Sequence, residues 1–168
     1  RMGVDEVTFH KRTPLVSDRA KLEHLMARGA RLAVDSDVKK EFEDLGHTVS
    51  LGAEEALERA TVVIDCTPAG NQNKEKYYES SQGPRGFLAQ GSEFLFGKPY
   101  ACGINDEVLD PSEDRFVQIV SCNTHNIATL LKTLCENGGE YNLDQSNFVC
   151  IRRSNDVSQA TSFLPSPQ

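Results

Sequence analysis

The sequence has no long basic run, no uncharged apolar stretch near the length of a membrane span, and no Cys-x-x-Cys pair. Each absence removes a class of function. Lysine and arginine total 18 against 25 acidic residues, for a net charge of −7. Binding driven by phosphate contacts wants a basic face, so nucleic acid is not an expected partner. A bilayer span needs about 20 consecutive apolar residues, so no membrane association is expected. No signal-peptide pattern lies near Arg1. The five cysteines are an odd number without zinc-ligand spacing, which suggests neither a disulfide framework nor a zinc knuckle. His10, His24 and His47 have no carboxylate or cysteine at ligand spacing, so no metal site is expected. Glycine and proline, 12 and 7 of 168 residues, sit near average usage and exclude a low-complexity chain. There are no internal repeats. The expectation is a cytoplasmic protein with reduced thiols.

What is present is an alternation of short strand-like and helix-like segments. Strands are expected at Val4 to Phe9, Arg31 to Val34, Thr48 to Leu51, Thr61 to Asp65, Gly86 to Ala89, Phe116 to Val120 and Phe148 to Ile151. Helices are expected at Asp18 to Arg28, where Leu22, Leu25 and Met26 share a face, at Val38 to Leu45, at Glu54 to Arg59, around Lys74 to Glu79 and at Asn123 to Glu136. Gly91 to Pro111 reads as a looser stretch. The β-branched run from Thr61 to Asp65 suggests a strand buried on both faces of a parallel sheet. Strands alternating with helices imply an α/β fold with ligands at the carboxyl ends of its strands. The Gly-x-Gly-x-x-Gly fingerprint of a dinucleotide fold is absent. The opening on Arg1 and the turn-like close at Ser166-Pro167-Gln168 read as cuts, so a fragment is expected.

The segment richest in chemistry is Val120-Ser121-Cys122-Asn123-Thr124. It falls where a strand ends and a long helix begins. A cysteine placed there faces unpaired backbone N–H groups and the positive end of the helix dipole, which favour a thiolate. The same N–H groups suit an oxyanion formed when that thiolate attacks a carbonyl. The competing reading is a small apolar residue packed at a strand end, and position alone does not separate the two.

Ser121-Cys122-Asn123-Thr124 after a Val-rich strand resembles the active-site segment of archaeal-type glyceraldehyde-3-phosphate dehydrogenase. Further stretches follow in that family's order. Val63-Ile64-Asp65-Cys66-Thr67-Pro68 resembles its buried strand and Thr-Pro turn, with Asn73, Lys74 and Tyr77 beyond. Gln90-Gly91-Ser92-Glu93 is similar to its Gln-Gly-Gly-Glu segment, and Ile151-Arg152-Arg153 to its Arg-Arg strand. Lys11 and Pro14 fit its Lys-x-x-Pro turn. Together these cover nearly the whole chain.

The resemblance implies an incomplete Rossmann-like parallel sheet followed by the start of an α+β catalytic domain. Residues 1–121 would be a partial NAD(P)-binding domain, and 122–168 the nucleophile helix and first catalytic strand. The implied reaction is NAD- or NADP-dependent phosphorylating oxidation of glyceraldehyde 3-phosphate to 1,3-bisphosphoglycerate, a step of glycolysis and gluconeogenesis. Cys122 would form the thioester, with Ser121 and Asn123 contacting substrate and Asn123 donating to the oxyanion. Lys11, Thr67, Ser92 and Arg153 would contact the cofactor, Lys11 through the 2′-phosphate of NADP. Ser92 stands where the family has glycine, and its side chain would crowd the close backbone approach to the cofactor.

The family's first Gly-rich strand and its general-base histidine have no counterpart among these residues, so the isolated chain is expected to be inactive. The complete protein would be a homotetramer. His125, one helical turn past Cys122, is the alternative base, against a polar-face role. Two other readings stay open: another cysteine-dependent semialdehyde or acyl-phosphate reductase, and a non-catalytic dinucleotide-binding module. Cys66, Cys102, Cys135 and Cys150 read as packed thiols, and Lys74, Glu75 and Lys76 as solvated helix face.

Overall fold

The computed structural model describes residues 5–90, 94–137 and 140–150. Strand β1 spans Thr8–His10, helix α1 Arg19–Ala27, β2 Arg31–Val34, α2 Lys39–Asp44, β3 Leu51–Gly52 and α3 Ala53–Arg59. Strand β4 covers Val62–Asp65, α4 Gly70–Asn73, β5 Gly86–Gln90, β6 Lys98–Tyr100, β7 Phe116–Ile119 and α5 Cys122–Cys135. A short antiparallel pair, β8 Glu136–Asn137 and β9 Glu140–Tyr141, follows α5. The first seven strands pair only in parallel, in two sheets ordered β1-β2-β3 and β4-β5-β7-β6. Parallel neighbours need crossovers, and the helices between strands supply most of them. The α/β, Rossmann-like class expected from the sequence is the class observed.

Each sheet has its own core. In the first, Leu32 and Val34 of β2 are buried with Leu22 of α1 and Phe42 of α2. Strand β2 is the middle strand of three, and Leu32, Ala33 and Val34 are all buried, as a strand covered on both faces requires. His47 is buried too, with its ring 6.3 Å from that of Phe42 and no hydrogen-bond partner at either ring nitrogen. In the second sheet, Phe87 and Ala89 of β5 pack with Phe96, and Leu57, Val63, Tyr78 and Phe116 close around them. Phe87 stacks between Tyr78 and Phe116, at 4.8 and 5.0 Å between ring centroids. Gly97 lies so close to β7 that a Cβ there would collide with the Phe116 carbonyl. Helix α3 serves both sheets: it packs on β2 and β3, and its Leu57 reaches the Phe87 cluster.

Several expectations are corrected. The Thr61 to Asp65 run does form a strand, but among the described strands β4 lies at the sheet's edge and is not buried on both faces. Val62 and Ile64 are 52% and 65% exposed, while Val63 and Asp65 face inward, the two-residue alternation of a half-covered strand. Phe148 to Cys150 has no regular structure, and Phe148 and Val149 are exposed; Ile151 lies outside the described residues. Within the stretch read as loose, Lys98–Tyr100 pairs with β7. The Lys74 region is a π-helical turn, Lys74–Tyr78, continuing α4. No described helix is long and apolar enough to cross a membrane.

Candidate active site

The carboxyl edge of the four-stranded sheet gathers most of the candidate residues. Strand β7 ends at Ile119, and Val120 extends its line by donating its N–H to the Tyr100 carbonyl at 3.0 Å. Ser121 then turns the chain with extended backbone angles and caps α5. Its hydroxyl accepts the Thr124 N–H at 3.2 Å and lies 2.9 Å from the Thr124 hydroxyl. Serine at this position satisfies one of the N–H groups that every helix leaves unpaired at its start. Cys122 is the first helical residue, and both it and Asn123 are exposed. The arrangement exposes a thiol on the first turn of α5, where backbone N–H groups without helical partners suit an oxyanion.

His125 is occupied elsewhere. Its Nε2 lies 3.0 Å from the Cys102 carbonyl; a carbonyl only accepts, so that nitrogen carries the proton. Seven residues on, on the same helical face, Lys132 donates to the Gly103 and Ile104 carbonyls, both at 3.1 Å. These two side chains dock the loop that follows β6 along α5. The loop is knit internally. Tyr100 donates its hydroxyl to Asp106 at 2.7 Å, Gly103 donates its N–H to the same carboxylate, and Asn105 links Ala101 to Pro99. Tyr100's hydroxyl holds the Asp106 carboxyl below the usual carboxylate range, and the same bond pushes the phenol up.

Two strands from β7, at a spacing of about 10 Å, the end of β4 carries the Thr67-Pro68 turn. Its organiser is Asp65, buried at 3% exposure. Asp65 accepts the Thr67 N–H at 2.7 Å, the Asn73 amide at 2.9 Å and the Tyr78 hydroxyl at 2.7 Å. Thr67 in turn accepts the Ala69 N–H and the Asn73 amide at 3.2 and 3.0 Å. Burial works to raise the Asp65 carboxyl, but the hydrogen bonds from Asn73, Tyr78 and Thr67 outweigh it, so it lies below its ordinary value. Sequence reasoning quoted Asp65 only as part of a motif. An aspartate two residues before a Thr-Pro turn, able to accept the N–H two positions on, was the available signal.

Lys74 also departs from expectation. It is half-buried and partnered: its ammonium donates to the Phe96 carbonyl at 2.8 Å and lies 4.7 Å from the centre of the Phe116 ring. With Asn71, which donates to the Phe94 carbonyl at 2.8 Å, it holds the segment beyond β5, where Leu95 has φ of 70°. The other thiols are not packed as expected: Cys66, Cys102 and Cys150 are exposed and Cys135 is half-buried.

Lys11 stands at the carboxyl end of β1, in the other sheet. Its N–H donates to the Ala33 carbonyl at 3.1 Å, and its ammonium pairs with Asp18 at 2.6 Å. Ser92 and Arg153 lie outside the described residues. Among the described residues no cluster of histidine, cysteine and acidic side chains suits a metal ion.

No family model matches the chain. Curated relatives do. It is 31% identical over 146 residues to glyceraldehyde-3-phosphate dehydrogenase of Metallosphaera sedula, covering 83% of this chain and 41% of that protein. It is 30% identical over 114 residues to the enzyme of that name from Pyrobaculum calidifontis, covering 67% and 33%. For the one from Methanococcoides burtonii the identity is 29% over 151 residues, covering 84% and 42%. The chain thus spans about two fifths or less of the length of the relatives it matches. Its motif order, its parallel α/β architecture and these matches agree: the chain is homologous to a part of the archaeal glyceraldehyde-3-phosphate dehydrogenases.

Proposed function

We propose that the chain serves NAD(P)-dependent phosphorylating oxidation of glyceraldehyde 3-phosphate, with Cys122 as nucleophile. The observation that carries this reading is the capped start of α5, where Ser121 fixes the first turn and leaves Cys122 exposed at the carboxyl edge of the sheet. The Cys122 sulfur attacks the aldehyde carbon and forms a C–S bond, while first-turn N–H groups and the Asn123 side chain receive the oxyanion. A nicotinamide cofactor supplies the hydride acceptor when bound. As the oxyanion re-forms its C=O bond, hydride leaves the carbon, and a thioester remains on Cys122. Attack by a phosphate oxygen then releases the acyl phosphate and restores the thiolate.

The residues present suit such a cofactor. Ligands of parallel α/β sheets bind beyond the carboxyl ends of the strands, where Asp65 braces the Thr67 turn and, in the other sheet, Lys11 follows β1 with its ammonium on Asp18. Thr67, Lys11, Ser92 and Arg153 are its proposed contacts, and Ser121 and Asn123 those of the substrate. Residues 1–121 are assigned to the cofactor domain, and 122–168 open the catalytic domain. His125 is a clamp on the Cys102 loop and not the base. The proposed whole protein is a homotetramer.

The test is site-resolved acylation. The full chain treated with an acyl phosphate and mapped by mass spectrometry is expected to carry the acyl group on Cys122, with no adduct there in Cys122→Ser. Acylation spread evenly over Cys66, Cys102 and Cys150, which are also exposed, would sink the assignment.

A further inference from the structure

We propose that His125 is a positioning residue for Cys122: by holding the Cys102 carbonyl it fixes the first turn of α5, and with it the N–H groups that receive the oxyanion. This inference rests on the reading of Cys122 as nucleophile and deepens it. Helix α5 needs such a device. None of its residues is buried, and Leu130 and Leu134 are 46% and 77% exposed. Helices in proteins are held chiefly by packing of an apolar face, and here that packing does little to fix the helix against the sheet.

What holds the start of α5 is polar and comes from one stretch of chain. On one side of Cys122, the Val120 N–H donates to the Tyr100 carbonyl at 3.0 Å. On the other, His125 Nε2 donates to the Cys102 carbonyl at 3.0 Å. The His125 N–H closes the turn by donating to the Ser121 carbonyl at 2.9 Å. One residue therefore ties the turn to the loop through its side chain and to the cap through its backbone. Cys122 lies between these two anchors, Tyr100 and Cys102. The anchoring loop is itself braced. Asn105 accepts the Ala101 N–H and donates to the Pro99 carbonyl, and the Asp106 carboxylate holds Tyr100 and Gly103. Lys132, about 10 Å further along the helix axis, adds a second fixed point on the same loop.

The consequence is specific to chemistry that develops an oxyanion. In acyl transfer from acetyl phosphate the sulfur forms a C–S bond to the acetyl carbon, the carbonyl oxygen takes up negative charge, and phosphate leaves as the C=O bond re-forms. That oxygen must meet its donors at set positions. Alkylation by iodoacetamide displaces iodide from a saturated carbon and forms no oxyanion, so it reads only the access and ionisation of the thiol. A residue that positions the first turn governs the former reaction and not the latter.

The experiment compares the full chain with His125→Gln, whose side-chain amide also donates, and with His125→Phe, which keeps a ring and has no donor. Each protein is treated with acetyl phosphate and, separately, with iodoacetamide, and the labelling of Cys122 and of the exposed Cys66 is followed by peptide mass spectrometry. His125→Phe is expected to acylate Cys122 about two- to tenfold more slowly, with alkylation of Cys122 and both reactions at Cys66 unchanged. His125→Gln is expected to keep the wild-type rate. Wild-type acylation in His125→Phe, equal slowing of acylation and alkylation, or a His125→Gln as slow as His125→Phe overturns the proposal and leaves the nucleophile assignment standing. A wild-type chain acylated no faster at Cys122 than at Cys66 overturns that assignment and this inference with it. Thermal melts of the three proteins separate loss of folding from loss of positioning.

Discussion

At the residue scale, Asp65 concentrates more of the site's order than the candidate nucleophile does. A buried carboxylate with three donors aimed at it is a charge-assisted network, and each such bond contributes more than a neutral one. Its contribution has a definite sign with pH. Because the folded carboxyl titrates below the 3.8 of an ordinary aspartate, the unfolded chain takes up the proton first. The stabilisation is therefore complete above the unfolded value and is lost as pH falls through the folded one. Thermal melts between about pH 5 and pH 3 should show the wild type losing stability faster than Asp65→Asn. The variant should also start about 1–3 kcal/mol less stable at neutral pH. Parallel pH profiles for the two proteins would refute the role. Asp65 was hidden in the sequence because its partners Asn73 and Tyr78 come from the turn beyond. Lys74 was misread for the same reason: its partners, Phe96 and Phe116, are far along the chain.

At the scale of elements, legibility followed local pattern. Strand β2, three buried apolar residues in a row, and α5, a long apolar-periodic segment behind a serine, were both readable. Strand β6 was not, because Lys98-Pro99-Tyr100 has neither length nor alternation and exists by pairing with β7. Phe148 to Cys150 shows the converse: an apolar run makes a strand only with a partner, and it has none among the described residues. The strand–helix junction at Cys122 was legible because a strand-like run passes directly into a long helix-like segment, and the Ser121 cap that fixes it is a finding of the structure. Replacing Ser121 with alanine should cost about 1 kcal/mol of stability. It should also slow acylation of Cys122, since the first turn that positions the sulfur would fray. Rapid-quench acylation and a denaturant melt on the same variant check both effects, and a full loss of stability with unchanged acylation would contradict the link.

For the whole molecule, two parallel sheets with separate aromatic and aliphatic cores place the candidate groups on strand ends while the interiors supply stability. Glyceraldehyde-3-phosphate dehydrogenase homology accounts for the order of the motifs, and the cores account for why those motifs sit where they do. The all-parallel pairing of the first seven strands has one more consequence, in time rather than space. None of those pairs can start from a tight hairpin: the shortest closes from Ala33 to Leu51 and the longest from Phe87 to Phe116. Loop closure must precede every contact that rewards it, so refolding should be slow for a chain of this size, in milliseconds to seconds. Stopped-flow fluorescence on the tyrosines, with Tyr78 stacked on Phe87 as reporter, reads that rate, and microsecond refolding would be incompatible with this topology. During that delay the uncovered Val62 and Ile64 of β4 offer other chains a pairing edge, so refolding yield should fall as protein concentration rises.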